Sequence, residues 1–144
     1  MKVLLMAAAL VGCGSQTISL RHSALEPYAE EFYTDAHLYG VEARKDNVSY
    51  HIAEPPLHAE TPNAVGLCFY GEVSSFILIS RTYWNKATHN EKRALMYHEL
   101  AHCTLGIKHT ENPYALMYPM VHSPMYLEEH LEEMIKEFFE GVTK

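Results

Sequence analysis

The sequence predicts a single small α+β domain, and three observations carry that reading. Apolar residues recur first at helical spacing, then alternate as in strands, then return to helical spacing twice. The helical stretches open on side chains suited to capping. A chain of 144 residues with 48% hydrophobic content is large enough to bury one core. Composition narrows the function as well. With 11 Lys and Arg against 18 Asp and Glu, the formal charge is −7, which leaves no basic stripe for following nucleic-acid phosphates. Aromatic residues make up 11% and charged ones only 20%, which excludes uniform disorder. No apolar run reaches the ~18–20 residues a membrane-spanning helix needs. The 10 histidines nearly equal the permanent cations in number, and that excess asks for a use.

Residues 1–12 read as an export signal, with Lys2 followed by an apolar stretch from Val3 to Val11 and then small residues. Leu10-Val11-Gly12-Cys13 resembles the lipobox of bacterial lipoproteins, in which the cysteine becomes the acylated N-terminus. The resemblance implies a lipid on Cys13, a tether over residues 13–22 and a domain over 23–144. Gly14 is not the aspartate of an inner-membrane retention signal, so the expected place is the outer membrane, facing the periplasm. Cys68 and Cys103 then remain as an even pair in an oxidising compartment. They form either a disulfide or two buried thiols, and without any CxxC they do not resemble a metal site.

The first helix is expected from about Ser23 to Gly40, with Leu25, Tyr28, Phe32 and Tyr39 on its apolar side. Ser23 and Glu26 are spaced as a capping box, Pro27 falls in the first turn, and Gly40 stops the helix. Val48, Tyr50 and Ile52 alternate with Ser49 and His51, as in a half-buried strand. Residues 54–63 contain three prolines and form a loop. The runs 66–70 and 76–80 flank a turn, so they read as a hairpin or as neighbouring strands. Phe76-Ile77-Leu78-Ile79 is apolar on both faces, which suits a central position in a mixed sheet of three or four strands. A second helix starts at the capping box Thr88/Glu91 and ends at Gly106. Ser123 caps a third, with Pro124 first in the helix, running to about Glu140. Leu127, Leu131, Met134, Ile135 and Phe138 line one side of it, and six glutamates form a solvated face on the other.

The second of these helices carries His98-Glu99-Leu100-Ala101-His102. Residues four apart on a helix project from the same face, so both imidazoles can reach one metal ion, with Glu99 held beside them. A shuffled chain of this composition contains an HExxH roughly 7% of the time, so context has to decide. Here the cap predicts the helix independently. Met96, Leu100 and Cys103 form one stripe and Leu95, His98 and His102 another, roughly opposite. One side packs on the sheet while the other presents histidines at a cleft. Downstream, Gly106 can turn the chain back and bring His109 in as a third ligand.

These residues, followed by Ala115-Leu116-Met117-Tyr118-Pro119, resemble the zinc-binding consensus and Met-turn of the metzincin metallopeptidases, the matrixin branch especially. Short bacterial and phage metallopeptidases with an HELGHC-type sequence look closer still. The likeness spans roughly residues 88–121 and implies a small zincin-like domain with an N-terminal helix, a mixed sheet, an active-site helix, a Met-turn and a C-terminal helix. In the metzincin pattern two residues separate the second histidine from the glycine; here there are three, Cys103-Thr104-Leu105. One extra helical residue rotates the exit by about 100°. Glu111, His122 or a glutamate of the last helix therefore stand as rivals to His109.

Three protein ligands leave zinc a fourth position for water, and Glu99 is then placed as general base in peptide hydrolysis. By resemblance Met117 forms a hydrophobic floor under the zinc, and Pro119, Met120 and Val121 wall an apolar-tolerant pocket. Tyr118 is a candidate for the oxyanion, although metzincins that use a tyrosine this way place it two residues after the methionine. The expected partners are a peptide or protein substrate and a membrane reached through Cys13; the expected state is a monomer that binds no nucleic acid. The alternative is a zinc-binding lipoprotein of the same fold that acts as a binding module, and a structural lipoprotein with a chance motif predicts no metal. An intact Glu99 argues against the binding module, since a purely structural site has no use for that carboxylate. No inhibitory cysteine switch or calcium loop is recognisable.

Overall fold

Leu25, fully buried, anchors the start of the first helix in the core, and the chain turns helical at the next residue. The computed structural model describes residues 23–143; the stretches read as signal and tether, with Cys13, lie outside them. Helix α1 (Glu26–Leu38) is followed by β1 (Val48–Ala53), β2 (Gly66–Phe69), β3 (Ser75–Ser80), the one-turn α2 (Arg81–Trp84), α3 (His89–Leu105) and α4 (Pro124–Val142). This is the α+β order expected, with a three-stranded sheet.

The capping box expected at Ser23 and Glu26 does not form. Leu25 is the N-cap and its position has no side-chain bond, because burying an apolar anchor there takes precedence over satisfying one backbone donor. Gly40 has a positive φ of 71° and closes α1, with Val41 N–H bonding to the Ala36 carbonyl. At α3 the expected capping box is present in both directions, Thr88 accepting from Glu91 N–H and Glu91 from Thr88 N–H. Ser123 caps α4 through Tyr126 N–H, and Pro124 stands in the first turn. On α4 the deeper aromatic is Phe139 rather than Phe138, which is half-buried. Phe139 stacks on Tyr39 at 5.4 Å and meets Phe32 at 5.5 Å, partners supplied by α1 and its exit. The one-turn α2, capped by Ser80, is too short to show periodicity in sequence.

The strand order is β1-β3-β2, with β1 parallel and β2 antiparallel to β3. The apolar run 76–79 is thus central, and β2 is an edge. Ile77 and Ile79 are fully buried, whereas Phe76 on the other face stays 40% exposed and stacks on Phe69. Helix α3 is the hub, packed on α1, α4, β2 and β3. Met96, Tyr97, Leu100 and Cys103 are fully buried there, and each large apolar side chain so placed contributes about 1.5–3 kcal/mol. A disulfide between Cys68 of β2 and Cys103 of α3 clamps the helix to the edge strand. Among the described residues no helix is long and apolar enough to cross a membrane.

Candidate metal centre

Three imidazoles converge at the C-terminal half of α3. The Nε2 atoms of His98, His102 and His109 form a triangle with every edge 3.1 Å. His98 and His102 come from successive turns of one helix face. His109 arrives because Gly106 takes a left-handed φ of 66°, and Gly106 N–H and Ile107 N–H bond back to the carbonyls of His102 and Ala101. The longer spacing before the glycine is thereby absorbed within the helix, and the reversal still delivers His109. Among the described residues these three are the group of His, Cys, Asp or Glu side chains placed to share a metal ion. The rivals do not join the triangle: Glu111 and the α4 glutamates are exposed, and His122, although it lines the same cavity, turns its Nε2 to the Ala115 carbonyl at 3.0 Å.

Two backbone carbonyls set the rings. His98 Nδ1–H donates to Leu116 O at 2.9 Å and His102 Nδ1–H to Ile107 O at 2.5 Å. Each bond fixes the tautomer that leaves the Nε2 lone pair free. Burial lowers the His98 pKa to about 4, with the neighbouring imidazoles adding to the effect, and lowers that of His102 as well. Both rings are therefore neutral at neutral pH, the form that binds metals. Met117 is 4% exposed, and its carbonyl accepts from Thr110 N–H, which ties the segment around Met117 to the chain just after His109.

Glu99 is 4% exposed, and burial alone pushes its carboxyl pKa up to about 8. Its side chain rests against the backbone of Gly66 at the start of β2, where a Cβ would come within 2.5 Å of Oε1. Sequence reading missed Gly66, whose importance comes from a contact between distant segments, and missed the two carbonyls that orient the rings. His98, Glu99 and His109 open onto a cavity of about 480 Å³. Leu95 and Leu116 give it apolar walls, and Tyr118, Pro119, Met120 and Val121 line it as well.

Three imidazoles beside a buried carboxyl, in a walled cavity, form a site able to hold a metal ion and move a proton next to it. Comparison with known proteins leads to the same chemistry. No curated protein and no solved structure matches the chain. Residues 30–130 match the family described as "Putative phage metallopeptidase", a stretch that contains the three histidines, Glu99 and Met117. With more than two thirds of its length matched, the chain belongs to that family.

Proposed function

We propose that the protein is a zinc-dependent endopeptidase, held at a bacterial envelope by a lipid on Cys13, in which Glu99 acts as general base on peptide bonds. The observation that carries this reading is the Nε2 triangle of His98, His102 and His109 with Glu99 lining the same cavity. Three nitrogens at about 2.0–2.1 Å from a tetrahedral zinc stand about 3.3–3.4 Å apart. The 3.1 Å edges fit that ion closely. An all-imidazole donor set suits zinc and does not suit calcium or magnesium, which take oxygen ligands.

His98, His102 and His109 would hold the zinc, which would supply Lewis acidity toward a peptide carbonyl and lower the pKa of water to about 7. Glu99 does the proton work, taking a proton from the attacking water and returning it to the leaving amine. Its burial shields that exchange from bulk solvent, and Gly66 confines the carboxyl to one place. The bonds to Leu116 and Ile107 hold both helix imidazoles ready without rearrangement. Met117 is assigned the hydrophobic floor, Pro119 a pocket wall and Tyr118 a place beside the oxyanion. The Cys68–Cys103 disulfide supports export to an oxidising compartment such as the periplasm. The substrate is a peptide or protein, and the working unit is a monomer.

The test is Glu99→Gln in the full chain. Elemental analysis should find zinc retained, while hydrolysis of a mixed peptide library falls at least about 100-fold. Undiminished hydrolysis, or purified wild-type chain that takes up no zinc, would overturn the reading.

A further inference from the structure

The cavity beside the metal centre has a direction. Glu91, Ala94, Leu95, His98 and Glu99 all line it, and this i, i+3, i+4, i+7, i+8 spacing is one face of α3. At 1.5 Å per residue, Glu91 lies roughly 12 Å from Glu99 along the helix axis. The cavity therefore tracks α3 from the reacting centre toward its N-terminus. Its middle is apolar, with Leu95 on the helix and Leu116 and Leu127 across from it. Its far end carries a carboxylate, Glu91, and a hydroxyl, Tyr83, and both also line an adjoining recess.

Glu91 is half-buried, and its Oε2 accepts from Thr88 N–H at 2.8 Å. Among the described residues no cation stands within ion-pair distance of it. Its cationic neighbours on α3 are engaged elsewhere: Arg93 with Glu31, Asp35 and Glu132, and Lys92 over the Trp84 ring at 5.3 Å. Lys86 lines only the adjoining recess. Burial and the nearby Glu91 charge together push the Tyr83 hydroxyl up to about 12. A wholly apolar side chain reaching the far end would cover this carboxylate without offering it a partner, which is costly, and an acidic one would be repelled.

We propose that the cavity receives a lysine or arginine side chain of the substrate, next to the bond cleaved, with its methylene stem along Leu95 and its charged head on Glu91. Only these two side chains combine a three- or four-methylene stem with a cation able to pair with a carboxylate. The proposal rests on the peptidase reading and names the substrate class that reading leaves open.

The test uses the zinc-loaded full chain and labelled peptides in an alanine–glycine host, with lysine, arginine, norleucine or glutamate at the central position. Cleavage next to lysine or arginine should exceed that next to norleucine by about tenfold or more, the usual range for a hydrogen bond between charged groups. Glu91→Gln should bring that ratio close to one, with thermal midpoint and zinc content unchanged, since glutamine also serves in a capping box. Binding to the Glu99→Gln chain, with and without Glu91→Gln, repeats the comparison without turnover. Equal or better use of norleucine by the wild type, or a ratio insensitive to Glu91→Gln, overturns the proposal. Absent cleavage with a retained lysine preference in binding overturns the peptidase reading and leaves the pocket assignment standing.

Discussion

A Cβ at Gly66 would stand 2.5 Å from Oε1 of Glu99 and 2.9 Å from its Cγ and Cδ. The atoms in the way belong to a movable side chain, so Gly66→Ala is expected to displace the carboxyl rather than unfold the strand. A displacement of about 1 Å in a catalytic group can cost about 100-fold. Peptide turnover by Gly66→Ala should fall on that scale while zinc content and melting temperature hold. The same carboxyl gives the metal-free chain a particular pH response. Burial raises Glu99 from its ordinary value of 4.5 to about 8, so the folded state keeps a proton that the unfolded state releases. Its contribution to stability is complete below pH 4.5 and is lost as pH rises through about 8. His98, lowered to about 4, acts in the opposite sense: its stabilisation is present above the ordinary value of 6.5 and is lost as pH falls. Thermal melts of the metal-free chain should therefore decline on both sides, and Glu99→Gln should remove the decline between pH 7 and 8 while leaving the acid limb.

Among the elements, α3 does two jobs on two faces. One face holds the histidines. Another turns Arg93, 8% exposed, toward Glu31 and Asp35 of α1 and Glu132 of α4, and Tyr97 O–H donates to the same Asp35 at 2.6 Å. Losing one partner of a buried ion pair costs about 3–5 kcal/mol. Here the acids are 39%, 22% and 80% exposed and can be rehydrated, so Arg93→Ala should cost less, about 2–3 kcal/mol in a urea titration. Zinc affinity should change little, since Arg93 points away from the histidines. Elements whose signals are local were legible in the sequence. The Thr88/Glu91 box, Pro124 and Gly106 each act within one turn and need no tertiary partner. The misses depend on distant packing. Leu25 replaced the Ser23 cap because the core takes it up, and Phe139 rather than Phe138 went deepest because Tyr39 and Phe32 wait for it.

For the whole molecule the Cys68–Cys103 bond is the largest single covalent constraint on the described fold. It joins residues separated by 35 positions, and the chain-entropy argument assigns such a loop about 3–4 kcal/mol. A chain with both cysteines replaced by alanine should lose about 2–4 kcal/mol in denaturant, and reductant should destabilise the wild type by a similar amount while leaving that variant unaffected. The convergence of His98, His102 and His109 was legible in the sequence, because HExxH and Gly106 are local. Its support was not, since the carbonyls of Leu116 and Ile107 and the backbone of Gly66 carry no residue-type signal. The bond also bears on maturation. Cys103 directly follows His102, and in a reduced, unfolded chain its thiolate is a softer zinc ligand than any imidazole nearby. Oxidation of the pair takes both thiolates out of competition and leaves the histidines as the zinc-preferring donors on that stretch. On the proposed zinc reading, forming the disulfide before the metal is loaded should raise the yield of correctly loaded chain, which elemental analysis of chains refolded with zinc added before or after oxidation would check.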